Sequence, residues 1–194
     1  MASHHHRFYS LLLTVISLTT SRSWAQASAR SVNWAKRLDS GSGPDTITNI
    51  QFYFHDIFTG NHPTATRVVH PVPGFSHTTF FGAVVMADDP LTESADPSSK
   101  VVGRAQGMYA AAGRSEVSLL MSMSYGFTDG DYDGSSLSIV GRNRALDPTR
   151  ELPVLGGTGV FRMARGYAVI NTVTANARGD AVVHYNVTVY APRL

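Results

Sequence analysis

Glu116-Val117-Ser118-Leu119-Leu120-Met121-Ser122-Met123-Ser124-Tyr125-Gly126-Phe127 is the stretch whose alternation decides the fold. Val117, Leu119, Met121, Met123, Tyr125 and Phe127 fall on one face of an extended chain. Ser118, Ser122 and Ser124 fall on the other, with Leu120 the exception. A period of two over this length is a half-buried strand. The same alternation recurs at Ala181–Tyr190, where Val183, Tyr185, Val187 and Val189 interleave with His184, Asn186 and Thr188.

Working outward, short β-branched and aromatic runs separated by Gly, Pro, Asp and Asn give further candidate strands. They are Ile47–Phe58, Ala65–Val69, Phe80–Ala87, Val101–Ala111, Ser135–Val140 and Gly166–Thr174. No segment beyond about ten residues holds a helical period. Eight strands with turn signals between them predict an all-β sandwich or an up-and-down barrel. A barrel of about eight strands is just wide enough to enclose one small ligand. The first strand is apolar on both faces, with Phe52, Phe54 and Phe58 against Tyr53 and Ile57. One lumen cannot use both, so a second buried surface between subunits is expected.

The 194 residues are 43% hydrophobic and 15% charged, a globular composition that fits one domain. The absence of cysteine excludes disulfides, thiolate metal sites and a cysteine nucleophile. At the start, Arg7 precedes the apolar run 11–18, and small residues follow at Ser23-Trp24-Ala25. This order predicts a secretory leader over residues 1–25, too short to serve as a resident membrane span. Residues 26–46, with Ser40-Gly41-Ser42-Gly43-Pro44, read as a flexible arm, and the barrel domain is expected over 47–194. Without residues 1–25, which hold Arg7 and Arg22 and no acid, 14 basic side chains face 14 acidic ones. A neutral chain gives no electrostatic case for nucleic acid or for an anionic membrane. In a secreted chain, Asn186-Val187-Thr188 is a glycosylation acceptor.

Asp129-Gly130-Asp131-Tyr132-Asp133-Gly134 opens like a calcium loop, but the closing acid is missing and the flanks read as strands. An acidic hairpin turn is the better account. Gly156-Gly157-Thr158-Gly159 lacks the Lys-Ser/Thr of a phosphate loop. His55, His62, His70, His77 and His184 show no metal-ligand spacing. Neither a metal nor any other cofactor is expected.

Phe52-Tyr53-Phe54-His55-Asp56-Ile57 resembles the opening strand of plant dirigent proteins. Phe81-Gly82, Met86-Ala87-Asp88-Asp89-Pro90-Leu91-Thr92 and Val102-Gly103-Arg104-Ala105-Gln106-Gly107-Met108-Tyr109 continue the resemblance. So do Gly134-Ser135-Ser136-Leu137, Pro148-Thr149-Arg150-Glu151-Leu152-Pro153-Val154, Gly156-Gly157-Thr158-Gly159 and Ala164-Arg165-Gly166. The blocks stand in family order over roughly residues 47–190. The resemblance implies an eight-stranded antiparallel barrel with an apolar lumen, secreted to the apoplast or cell wall as a homodimer or homotrimer. It implies stereochemical control over a reactive phenolic intermediate, such as monolignol radicals that a separate laccase or peroxidase makes and that couple to lignans.

A cysteine-free branch of the family includes pterocarpan synthases, which dehydrate an isoflavanol through a quinone methide. Trp34-Ala35-Lys36 and Gly141-Arg142-Asn143 are similar to that branch. On that alternative the protein is a cofactor-free hydro-lyase or cyclase; a further alternative is a lipocalin-like carrier that does no chemistry.

Two residues carry over as catalytic. Asp56 matches the acid of the first-strand motif, and Arg150 the arginine before Glu-Leu-Pro. Asn143 stands where lignan-forming members carry a second acid, and an amide cannot take a phenolic proton. Phe54, Tyr109, Asn143 and Asp88 are the expected substrate contacts. The structural alternatives are a strand-ending acid for Asp56 and a surface ion pair with Asp147 or Glu151 for Arg150.

Overall fold

A computed structural model describes residues 32–38, 45–75 and 77–192. Strand β2 (Asp45–Asp56) shows how alternation becomes architecture: Thr48, Ile50, Phe52, Phe54 and Asp56 are all buried, while Gln51 between them is exposed. After β1 (Ala35–Leu38) and β2 come β3 (Ala65–Val69), β4 (Val84–Thr92), β5 (Val101–Ala111), β6 (Leu119–Phe127) and β7 (Ser136–Asn143). The chain ends with β8 (Arg150–Thr158), β9 (Arg165–Ala175) and β10 (Ala181–Pro192). All pairings are antiparallel, in the order β1-β2-β10-β9-β8-β7-β6-β5-β4-β3, and a further β2–β4 pairing closes the ring. Eight strands form the closed barrel, so no long edge is left open along it.

The number eight is as expected, but the set differs. Ala65–Val69 is not a separate stave, because β2 and β3 lie one after the other along the same edge of β4. The Ile57 carbonyl bridges the break by accepting from the Thr64 and Ala65 amides. The eighth stave is β8, which reads in sequence as a Pro- and Gly-rich turn. Pro153 is tolerated there because the β7 ladder stops at Ile139–Val154, leaving no β7 partner for a donor at Pro153. Strand β4 begins four residues later than expected and continues through Pro90 to Thr92. Phe80 (φ 57°) and Gly82 (φ 87°) take left-handed conformations, so the chain turns before the strand starts.

The expected leader over 1–25 lies outside the described residues. Part of the expected flexible arm is ordered: β1 pairs Ala35–Leu38 with Ile50–Ile47 of β2. Just before it, Trp34 is 4% exposed and lies 5.3 Å from the Phe127 ring and 5.4 Å from Tyr132. Its indole N–H donates to Asp129 at 2.9 Å. Tryptophan burial outweighs the polar, small-residue composition that argues for a linker. Asp129 also accepts from Lys100 at 2.6 Å, and a 3₁₀ turn follows at Gly130–Tyr132, so the acidic motif is a β6–β7 turn.

The barrel interior is packed unequally. Phe52 stacks on Tyr185 at 5.1 Å, Tyr125 lies 5.4 Å from Tyr185, and Phe54 lies 5.8 Å from it. With Phe127, Phe161 and Trp34 these rings fill the middle and one end. The other end, where β2, β5, β7 and β9 finish and β4, β6, β8 and β10 begin, carries the polar residues.

Candidate active site

Asp56 is the last residue of β2 and keeps the inward phase of Phe52 and Phe54. It is 9% exposed; its Oδ2 accepts from the Tyr109 hydroxyl at 2.6 Å, and its Oδ1 has no partner. Burial is the main cause that raises its pKa to about 6, opposed by the Tyr109 hydrogen bond and supported by the charge of Asp180. The strand-ending role considered for Asp56 belongs to Asp180. That carboxylate accepts from the Phe58 and Thr59 amides at 2.8 and 3.0 Å and from the Thr59 hydroxyl at 2.6 Å.

Arg150, the first residue of β8, is 7% exposed. Its Nε donates to the Asn143 side chain at 3.1 Å, and its Nη1 donates to the Asp147 carbonyl and the Thr172 hydroxyl, both at 3.0 Å. Asp147 gives its carboxylate to Arg144 instead, at 2.9 Å. Arg150 is therefore not a surface ion pair: it is a buried cation fixed by neutral groups. Burial lowers its pKa, while the neighbouring Tyr185 and Asp147 raise it. The Tyr125 hydroxyl donates to that of Tyr185 at 3.0 Å in the aromatic floor, and burial pushes Tyr185 up to about 12.

Phe54, Tyr109 and Asn143 are buried among the inward-facing residues. Asp88 is not. Its side chain is half exposed on the outer face, bound to Arg104 at 2.5 Å, and that guanidinium holds its pKa below the usual range. Its neighbour Asp89 points inward and is fully buried. The reason is register: with β4 running to Thr92, Val85, Ala87, Asp89 and Leu91 share the inner phase. Thr172 and the Tyr125–Tyr185 pair are the site residues that sequence reading missed; of the adjacent acids Asp88 and Asp89, it is Asp89 that turns inward.

A cavity of about 300 Å³ opens beside Asp56, bordered by His55, Ile57, Pro97, Thr174 and Asp180. A larger one, about 510 Å³, lies at the opposite end between Arg37, Tyr132, Phe161 and Pro192. Of the two, the smaller is bordered by Asp56, the buried acid with an unpartnered oxygen, whereas Tyr109, Asn143 and Arg150 line neither. Among the described residues no group of three His, Asp or Glu side chains converges as a metal site.

The family model for dirigent-like proteins matches residues 47–190, nearly the whole described barrel. This chain belongs to the dirigent family. Dirigent protein 23 of Arabidopsis thaliana is 52% identical over 158 residues, covering 81% of this chain and 84% of the relative. Pterocarpan synthase 1 of Glycine max is 42% identical over 151 residues, covering 77% and 81%. A solved pterocarpan synthase dirigent protein superposes with a TM-score of 0.73 at 41% identity, covering 79% of this chain and 91% of that one. The fold is thus the dirigent barrel. The family acts on phenolic substrates.

Proposed function

We propose that this dirigent protein closes a ring on a phenolic substrate stereoselectively through a quinone methide, in the manner of a pterocarpan synthase acting on a 2'-hydroxyisoflavanol. The observation that carries the reading is the lumenal acid: Asp56 is buried, hydrogen-bonded to Tyr109, and poised at a pKa of about 6. Such a group exchanges a proton readily at mildly acidic pH. The 41–42% identity to pterocarpan synthases supports the same reading.

Protonated Asp56 gives its proton to the leaving hydroxyl as the C–O bond breaks and water departs. The para phenolic oxygen supplies the electron pair and releases its proton to solvent, giving a neutral quinone methide. The second phenolic hydroxyl then adds to the methide carbon and returns its proton to the Asp56 carboxylate. Negative charge that develops on the former quinone oxygen is met by the Arg150 guanidinium before solvent reprotonates it. Asn143 holds Arg150 through a neutral carbonyl, so the guanidinium charge is left for substrate.

Oxidative coupling of monolignols to lignans with a separate laccase or peroxidase is the second reading. It is the weaker one, because position 143 carries an amide and not a second acid. A carrier without chemistry would leave Asp56 no work. Chiral chromatography of products from a racemic 2'-hydroxyisoflavanol, and from coniferyl alcohol with laccase, separates all three.

The protein is further proposed to be secreted, to need no cofactor, and to assemble as a homo-oligomer. Exposed Met86, Met108 and Leu120 on the outer face of β4–β6 support the assembly. Asn186 is proposed to carry a glycan. It lies on the outer face of β10, where its carbonyl accepts from the Asn49 amide at 2.6 Å, leaving its own nitrogen to be modified.

A further inference from the structure

Asp89 is a second carboxyl in the lumen, and the steps above do not use it. It is completely buried on β4. Its Oδ1 accepts from the Thr64 hydroxyl at 2.5 Å, and its Oδ2 has no partner. Asp56 Oδ1, also buried, is likewise unpartnered. Two orphaned carboxyl oxygens in one apolar lumen are costly if both groups are ionised. The cost falls when one group keeps its proton, because a neutral carboxyl needs fewer acceptor partners met.

The surroundings decide which group that is. Strands β2 and β4 pair antiparallel at Phe54–Leu91, and Asp56 and Asp89 each lie two residues from that pair on the inner phase, so the register brings the two acids together. Asp56 receives the Tyr109 hydroxyl, whereas the charge of Asp89 acts on Tyr109 of β5 and on Tyr125 and Tyr185 of β6 and β10. Arg67 acts on Tyr109, Arg150 on Tyr185, and Asp180 on Asp56. Asp88 and Arg104 act on Asp89 from the outer face. No cation forms an ion pair with Asp89 or Asp56 among the described residues.

We infer that Asp89 is a positioning residue for Asp56: the two form one acid pair in which Asp89 stays protonated while Asp56 cycles, and ionisation of Asp89 shuts the site. The second negative charge opposes the phenolate-like charge that develops on substrate, and it opposes departure of the proton from Asp56 to the leaving hydroxyl in the first step. Burial, the charge of Asp56 and weak relief from Thr64 put the Asp89 pKa at about 7, which places the shut-off near neutrality.

This inference rests on the acid role of Asp56 proposed above, and its test has one arm that does not. In the purified full-length secreted protein, carboxyl ¹³C NMR should show two carbons titrating above the ordinary aspartate range. Asp56→Asn should lower the Asp89 midpoint, because the opposing charge is gone. An Asp89 midpoint that does not move in Asp56→Asn overturns the pair, whether or not any substrate has been found.

The second arm is the rate. Above pH about 7, log kcat of the wild type should fall with a two-proton slope, about 100-fold per pH unit. In Asp89→Asn the slope should drop to one proton, leaving the variant about tenfold faster than wild type at pH 8. Thr64→Val keeps the pair and removes the donor that favours ionised Asp89, so its two-proton limb should move to higher pH. A two-proton slope retained in Asp89→Asn, or an unmoved limb in Thr64→Val, overturns the inference. Absence of turnover with every phenolic tested refutes the proposed function and leaves the NMR arm to judge the pair.

Discussion

At the scale of single residues, the proposed chemistry rests on Asp56 and Arg150. Asp56→Asn keeps the size and the acceptor for Tyr109 but removes the titrating group. General acid–base contributions of about 10²–10⁴-fold predict a loss of that size in product formation or stereocontrol. Ligand affinity, measured by calorimetry, should change far less, because apolar burial supplies most of it. The two raised carboxyls also fix how stability depends on pH. Their pKa values in the folded protein, about 6 and about 7, lie above those in the unfolded chain. Protonation therefore favours the fold: the stabilisation is complete below about pH 4 and is lost as pH rises through 6 and 7. Asp56 alone accounts for about 3 kcal/mol of that change. Thermal unfolding should show a Tm higher at pH 5 than at pH 8, and Asp56→Asn should flatten the dependence. A Tm that rises with pH would contradict the burial of both acids.

Among the elements, those with clean period-two alternation are legible in the sequence, and those whose residues break a local rule are not. Strands β6 and β10 follow from their alternation alone. Strand β8 is hidden by Pro153 and two glycines, which local chemistry assigns to a turn and the interrupted β7 ladder permits in a strand. The end of β4 is hidden by Pro90, and with it the inward phase of Asp89. Had the alternation Val85-Ala87-Asp89-Leu91 been followed through the proline, Asp89 and not Asp88 would have been assigned to the lumen. Strand β1 carries no alternating pattern of its own, since its order depends on Trp34 finding Phe127 and Tyr132 across the barrel end. Trp34→Ala should therefore destabilise the protein by about 3–5 kcal/mol, read by chemical denaturation. A loss below about 1 kcal/mol would return residues 32–38 to the role of a linker. On β10, mass spectrometry of the protein purified from plant tissue, before and after glycosidase treatment, should locate the proposed glycan at Asn186. Unmodified Asn186 throughout would reject that site.

For the whole molecule, the barrel divides its surface. The inner face holds the site, and the outer face of β4–β6 leaves Met86 44%, Met108 45% and Leu120 50% exposed in neighbouring rows. Light scattering at micromolar concentration should give a dimer or trimer mass, and Met108→Glu should reduce it to that of one chain. A wild-type monomer would contradict the outer-face reading while leaving the lumen untouched. Family membership, the all-β class and the acid of the first strand are all written in local motifs. The inward place of Asp89 emerges only when the alternation of β4 is carried through Pro90, and the setting of Arg150 only when distant strands close the ring. If the closed lumen directs a quinone-methide ring closure without a cofactor, the purified protein with nothing added should suffice. Incubated with racemic 2'-hydroxyisoflavanol, it should give one enantiomer of the cyclised, dehydrated product on a chiral column, formed faster than without protein. A racemic product at the uncatalysed rate would contradict that reading.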